Sequence, residues 1–174
     1  MDSDAEFAVI FEDDVFFDPT KLRAVIGELT QNKSYWDIVN FDINHGGAPL
    51  TIKTLKHKHL LSVYLTEVAH SGSYMLSRKA ALKLLEKALP IKMPVDHYFT
   101  RSWEFGLVFA GVENPRLVRQ QYGDSDIKAR ELITPNNASL MFFIKKSIYK
   151  VQSGVIRFLY NISVFADLLI KDKE

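Results

Sequence analysis

The sequence predicts a single α/β domain, because strand-like apolar segments are interleaved with an amphipathic helical segment. Residues 7–11 form an apolar run rich in Phe, Val and Ile, which is typical of a buried strand. Residues 19–31 carry apolar side chains at helical spacing, and residues 35–43 form a second apolar strand. A length of 174 residues suits one domain with one core.

The composition excludes several functional classes. Apolar residues make up 47% of the chain and charged residues 25%, as in soluble globular proteins. Because no cysteine is present, disulfides, thiolate metal sites and cysteine nucleophiles are excluded. The net charge of +1 gives no indication of nucleic-acid binding, and we expect no nucleic-acid partner. The first six residues carry three acids and no base, which is unlike a signal peptide.

Three acids, Glu12, Asp13 and Asp14, follow directly after the first strand. Side chains two apart on a strand share a face, so Glu12 and Asp14 should point together and Asp13 away from them. Carboxylates held this close repel each other unless a cation or a proton lies among them. Open α/β sheets bind ligands at the carboxyl ends of their strands. The triplet therefore indicates either a divalent metal site or a solvated strand end.

Helix caps and apolar spacing locate the remaining elements. Asp18 followed by Pro19 is a strong helix start, with Asp18 as the N-cap. Further strands are expected at residues 60–68, 74–76, 107–109 and 117–118, and further helices at residues 78–89, capped by Ser77, and 95–99. Asp42 lies near the end of the second strand, where it can reach a ligand. Asp96 opens a short helix, and a helix cap is its alternative role.

The C-terminal part of the chain differs from the rest. Residues 132–166 contain no acid, and residues 140–170 are rich in aromatic and aliphatic side chains with Lys or Arg every few residues. Within that stretch the longest uncharged run, residues 158–166, is far shorter than the roughly 20 residues of a membrane-spanning helix. We therefore expect a domain over residues 1–130 and a basic amphipathic helical tail over residues 131–174. The tail suits an anionic membrane surface, and core packing is the alternative.

Three motifs in order carry a resemblance to a known family. They are an acidic strand end at residues 8–15 with Asp18 following, a small-residue turn that leads into a serine-capped helix at residues 71–81, and a later Asp within residues 94–97. In order and spacing these motifs resemble glycosyltransferase family 25, the lipooligosaccharide and collagen-type glycosyltransferases. The resemblance covers about residues 6–122, and the basic tail is similar to bacterial members.

The resemblance implies a GT-A-like fold, a Rossmann-like α/β sandwich. Family members carry a first strand and a nucleotide-base region before the acidic strand, so the chain is expected to be N-terminally truncated. The implied cofactor is Mn²⁺, or Mg²⁺, held against the diphosphate of a nucleotide sugar; hard oxygen ligands suit these ions. Glu12 and Asp14 would be metal ligands, Glu12 and Asp13 would bind the donor, and His97 is a further metal ligand by analogy alone.

The implied reaction is inverting transfer of a hexose to a lipooligosaccharide acceptor, with UDP-galactose as the expected donor. Inversion requires a carboxylate to deprotonate the acceptor hydroxyl, for which Asp96 is the first candidate and Asp42 the second. The expected partners are the nucleotide-sugar donor, the glycan acceptor and an anionic membrane surface. The expected location is the cytoplasm, with peripheral binding at the inner face of the plasma membrane. Two alternatives remain open: a metal-dependent phosphohydrolase that uses the same acids, and a non-catalytic, membrane-associated interaction module.

Overall fold

The computed structural model describes residues 4–43, 47–68, 70–121 and 140–172, and their arrangement confirms the α/β class. The strands are β1 (Phe7–Phe11), β2 (Val15–Phe17), β3 (Ile38–Asn40), β4 (Pro49–Thr54), β5 (Leu60–Tyr64), β6 (Ser73–Ser77), β7 (Phe109–Glu113) and β8 (Val118–Gln120). The helices are α1 (Pro19–Gln31), α2 (Arg78–Ala88), α3 (Val95–Phe99), α4 (Ser102–Phe105) and α5 (Leu140–Lys171).

Six of these strands form a mixed sheet in the order β1-β6-β3-β7-β5-β4, and β2 pairs with β8 in a separate antiparallel ribbon. Within the sheet, β3 and β7 are parallel, and the other neighbouring strands are antiparallel. Because β6 is antiparallel to both β1 and β3, these two strands run in the same direction. Their carboxyl ends therefore lie at one edge of the sheet, with the start of β6 between them.

Two predicted helix starts are confirmed by hydrogen bonds. The Asp18 carboxylate accepts hydrogen bonds from the backbone N–H groups of Thr20 and Lys21 at 2.9 and 3.2 Å, and Pro19 is the first residue of α1. The Ser77 hydroxyl accepts a hydrogen bond from the Ala80 N–H at 3.1 Å and caps α2. Both side chains satisfy N–H groups that the first helical turn leaves without a partner.

Several predicted strands are shorter than the apolar pattern indicated. The predicted strand over residues 35–43 is reduced to β3, because Lys33–Tyr35 forms a 3-10 turn after α1. The predicted strand over residues 60–68 ends at Tyr64, where β5 ends. These apolar side chains are buried by packing outside the ladder, which periodicity does not distinguish from strand burial.

The core lies on both faces of the sheet. On one face, α1 packs Leu22, Val25 and Leu29 against strand residues. On the other face, Tyr98, Phe99 and the α4 residue Phe105 pack against the sheet together with part of α2. The sheet is therefore covered by helices on both sides.

Helix α5 is docked on the domain through its C-terminal half. Leu168 is 2% exposed within the first core cluster. The Asn161 side-chain amide donates to the Tyr64 carbonyl at 2.7 Å, and Arg157 Nε donates to the Thr100 carbonyl at 3.2 Å. The core-packing alternative therefore describes this half of the predicted tail. The predicted boundary between residues 130 and 131 lies outside the described residues.

The rest of α5 presents an apolar surface to solvent. Every residue from 140 to 152 is exposed. Along the whole helix, the side opposite the docked residues carries exposed aliphatic side chains at spacings of three and four: Met141, Ile144, Ile148, Val151, Val155, Leu159 and Ile162. By length and composition α5 is sufficient to cross a membrane, and among the described residues it is the one helix that meets this criterion.

Two leucines of α5 allow a matched test of docking. Leu168→Ala should lower the free energy of unfolding by about 2–4 kcal/mol, since a buried leucine loses its transfer free energy and leaves a cavity. Leu159→Ala, at a position 62% exposed on the same helix, should change it by less than about 0.5 kcal/mol. Urea denaturation in the absence of lipid measures the free energy of unfolding of both variants. Equal effects of the two substitutions would show that α5 is not docked as described.

Candidate active site

The candidate site lies at the sheet edge where β1 and β3 end and β6 begins. The Glu12 N–H donates to the Gly72 carbonyl at 2.8 Å, and the Phe41 N–H donates to the Ser73 carbonyl at 3.0 Å. The segment that leads into β6 therefore lies between the acidic end of β1 and the end of β3. Open α/β sheets place ligands at such an edge.

Glu12 and Asp14 converge on one point. The side-chain amide of Gln120, at the end of β8, donates to Glu12 Oε2 at 3.1 Å and to the Asp14 oxygens at 3.1 and 2.9 Å. The β2–β8 ribbon positions this amide, and the Gln121 N–H donates to the Asp14 carbonyl at 2.8 Å. The Ser71 hydroxyl donates to Glu12 Oε1 at 2.8 Å. Two carboxylates thus share a single nitrogen donor.

This donor set fits a divalent ion of the Mg²⁺ or Mn²⁺ type. Such ions prefer oxygen ligands and are commonly bound through one or two carboxylates, with substrate phosphates and water completing the coordination. Glu12 and Asp14 supply two carboxylates at one point. Among the described residues, no three His, Asp or Glu side chains form a group that could hold a metal ion. Within the described part of the chain, the protein ligands of such a candidate site are therefore a pair of carboxylates.

Asp13 and His97 take no part in the shared contact with Gln120. Asp13 is exposed in the turn between β1 and β2, between Glu12 and Asp14 in the sequence. The His97 ring is half exposed, and its Nδ1 lies 3.8 Å from a carboxylate oxygen of Glu67. In this conformation His97 does not join Glu12 and Asp14 in one cluster.

Asp96 lies in the first turn of α3. The helix-cap alternative for Asp96 is wrong, because Pro94 holds the N-cap position and provides no side-chain hydrogen bond. The Asp96 carboxylate accepts a hydrogen bond from the N–H of the next residue, His97, at 2.9 Å. Its side chain is partly exposed, so it is available to a ligand.

Asp42 is fully buried at the end of β3, with no exposed side-chain surface. Within the described residues neither carboxylate oxygen has a hydrogen bond of good geometry, and the facing cation is His70, whose Nδ1 lies 3.3 Å from Asp42 Oδ2. A Cβ added at Gly72 would lie 3.0 Å from the same oxygen, so glycine permits this close approach. The Asp42 carboxylate raises the pKa of His70; partial burial opposes this effect, and Asp96 and Glu12 add to it.

Sequence reasoning did not identify His70, Ser71 and Gln120 as site residues. The start of the motif at residues 71–81 was predicted only as a small-residue turn, and its small side chains were the available signal that the chain approaches another segment there. Gln120 reaches Glu12 from more than 100 positions away in sequence, and nothing in its local pattern distinguishes it.

Comparison with known protein families gives a match over the first part of the chain. The family model of glycosyltransferase family 25, described as an LPS biosynthesis protein, matches residues 1–99, more than half of the 174-residue chain. The matched region includes all the predicted site residues and ends before Gln120 and α5. A comparison with curated proteins found no match.

The pairing of His70 with Asp42 has a measurable consequence. A pKa raised on folding contributes stability that is present below the unfolded pKa of about 6.5 and lost as the pH rises through the folded value. NMR titration should give a midpoint for His70 above about 6.5, and urea denaturation should show a falling free energy of unfolding above that pH. Asp42→Asn should lower the midpoint and flatten the decline.

The control for this titration is Asp4→Asn, which makes the same charge change at an exposed residue near the N-terminus. It should leave the midpoint of His70 unaltered. A His70 midpoint at or below its ordinary value in the unaltered chain would contradict the described pairing.

Proposed function

The chain belongs to glycosyltransferase family 25, and from this membership we propose that it transfers a hexose from a UDP-sugar onto a lipooligosaccharide or LPS acceptor. The observation that carries the proposal is the convergence of Glu12 and Asp14 on one point at the carboxyl end of β1. A carboxylate pair at the carboxyl end of a strand in a helix-covered sheet is also what a GT-A-like fold requires, and we propose that fold. UDP-galactose is the proposed donor on family grounds alone.

Glu12 and Asp14 are the proposed ligands of Mn²⁺ or Mg²⁺, and the exposed Asp13 lies beside them for contact with the donor. When bound, the ion would offset the charge that develops on the departing nucleotide diphosphate. Gln120 would have to release both carboxylates, which costs little because an amide donor is replaced by a stronger partner. His97 would complete the ligand set only when its contact with Glu67 opens.

The acceptor side of the proposed site contains Asp96, and the second candidate base, Asp42, is buried behind His70. An inverting reaction requires a base within hydrogen-bonding reach of the acceptor hydroxyl. Asp96 is partly exposed and lies close enough to His70 to raise the pKa of that residue, which brings it near the sheet edge. Both carboxylates therefore belong to the same region as the metal-binding pair.

The first test uses the unaltered chain, MnCl₂, labelled UDP-galactose and lipooligosaccharide. Glu12→Gln and Asp14→Asn should each reduce sugar transfer by about 100-fold, because loss of a ligand weakens the charge stabilisation of several kcal/mol that a bound ion supplies. Calorimetry should show a parallel loss of Mn²⁺-dependent UDP binding. Both quantities are measured on the same preparations.

Glu6→Gln is the matched control, since it makes the same change at the other end of β1, where Glu6 pairs with Lys33. It should preserve transfer and UDP binding. Release of phosphate from a generic phosphodiester without sugar transfer would favour a phosphohydrolase instead. Absence of both Mn²⁺ and UDP binding in the unaltered chain would contradict the transferase proposal.

We further propose that α5 binds an anionic membrane surface and places the site beside lipid-linked acceptors. Three exposed lysines, Lys145, Lys146 and Lys150, lie in the same N-terminal half of α5 as much of the exposed apolar side. By helical spacing, Lys145 borders that side, whereas Lys146 and Lys150 continue the stripe of Arg157 and Asn161 beyond the domain. Apolar burial combined with attraction to anionic lipid is the usual basis of interfacial helix binding. The lysines interrupt the apolar stretch, and Arg157 and Asn161 are committed to the domain. These features favour a helix that lies on the surface.

Charge reversal tests the membrane proposal. Lys145→Glu, Lys146→Glu and Lys150→Glu together should abolish co-sedimentation with vesicles that contain anionic lipid, and added salt should weaken binding of the unaltered chain. Each basic residue near such a surface contributes about 1 kcal/mol. The same triple reversal at Lys56, Lys58 and Lys92, which are exposed elsewhere, should have little effect. If neither added salt nor the charge reversal at Lys145, Lys146 and Lys150 changes vesicle binding, electrostatic attraction does not contribute to it.

A further inference from the structure

We propose that His70 is the catalytic base of the transfer reaction, and that Asp42 is a positioning residue that acts through it. This inference rests on the proposed function and assigns its proton-transfer step. It is carried by the buried Asp42 carboxylate that faces the His70 ring at 3.3 Å, at the edge of the sheet where the acidic triplet ends.

Asp42 cannot itself touch an acceptor. Its side chain has no exposed surface, and the backbone of Gly72 packs directly against one of its carboxylate oxygens. A base must lie within hydrogen-bonding reach of the proton it takes. A fully buried carboxylate can instead fix the orientation of a histidine and stabilise its protonated form, as it does in hydrolase triads.

His70 has the position that the base requires. Its side chain is 19% exposed, and it directly precedes Ser71, which donates to Glu12. The Asn40 side-chain amide donates to the His70 carbonyl at 2.5 Å, which fixes the backbone at this point. Nδ1 lies 3.3 Å from Asp42 Oδ2, so Nε2 is the ring nitrogen that would receive the proton.

The charged groups around His70 come from three elements. Asp42 follows β3, Glu12 follows β1 and Asp96 lies on α3, and all three raise the pKa of His70. Their combined negative charge favours the imidazolium that forms when a proton arrives. The raised pKa makes His70 a stronger base, and it also means that a larger fraction of His70 is protonated at low pH.

The step balances without an additional reactant. The acceptor oxygen forms a bond to the anomeric carbon, and the bond from that carbon to the diphosphate oxygen breaks with its electron pair. The acceptor hydroxyl proton passes to His70, and UDP leaves as the anion. The imidazolium then returns its proton to water.

The experiment measures transfer from UDP-galactose to lipooligosaccharide with MnCl₂ across a pH series. His70→Gln should lower kcat by about 100-fold or more, with UDP binding close to that of the unaltered chain. The midpoint of thermal unfolding should fall, because the buried Asp42 carboxylate loses its partner, so kcat is measured well below that midpoint. His57→Gln, at an exposed position in the 3-10 turn Lys56–Lys58, is the control and should retain activity. In the unaltered chain kcat/KM should rise with pH to a plateau as His70 loses its proton.

Asp42→Asn separates a positioning role from a merely structural one. It should move the rising limb of the kcat/KM profile to lower pH, because the charge that raises the pKa of His70 is removed. It should also lower the plateau of kcat/KM, because the imidazolium is less stabilised. If Asp42→Asn lowers the plateau of kcat/KM but leaves its rising limb at the same pH, Asp42 does not act through His70.

Two further outcomes separate this inference from the proposed function. Full activity of His70→Gln combined with loss of activity in Asp96→Asn would assign the base to Asp96 and overturn the inference alone. Absence of transfer by the unaltered chain would overturn both proposals.

Discussion

The site depends on one constraint: β6 hydrogen-bonds to β1 on one side and to β3 on the other, in opposite direction to both. Two strands that run in the same direction are thereby held one strand apart, and their carboxyl ends meet at one edge. The chain that enters β6 must cross between those ends. Residues 70–72 consequently contact Glu12 on one side and Asp42 on the other, and Gly72 is needed where the backbone passes the Asp42 carboxylate.

This arrangement separates two kinds of carboxylate. Glu12 and Asp14 are accessible and share a neutral amide donor, so a cation can replace that donor at little cost. Asp42 is buried, where an unpaired charge is expensive, and His70 is the partner that offsets the penalty. An accessible pair suits the binding of an ion, whereas a buried acid suits the control of a neighbouring base. In the proposed assignments, acids close together in one region of the fold therefore differ in role because they differ in exposure.

Local signals predicted the elements of the fold better than their pairing. Capping chemistry at Asp18 and Ser77 located two helix starts, because those interactions lie within a few residues. The lengths of β3 and β5 were overestimated, since apolar residues beside them are buried without joining the ladder, whereas β6, β7 and β8 are longer than the short apolar segments predicted. The acidic triplet predicted a candidate site, and the contacts of His70 and Gln120 at that site come from segments distant in sequence. Pairing of strands, which creates those contacts, leaves no local trace in the sequence.

One face of helix α5 is docked on the domain, and the opposite, aliphatic face is exposed to solvent. Toward the domain it commits Leu168 to the core and directs Arg157 and Asn161 to backbone carbonyls of Thr100 and Tyr64. Within a bilayer core those two polar side chains would need partners inside the membrane, whereas here the docked domain provides them. Keeping these bonds requires α5 to remain attached to the sheet. In the proposed membrane association, the exposed aliphatic face would meet lipid along the length of the helix, which favours an orientation parallel to the membrane surface.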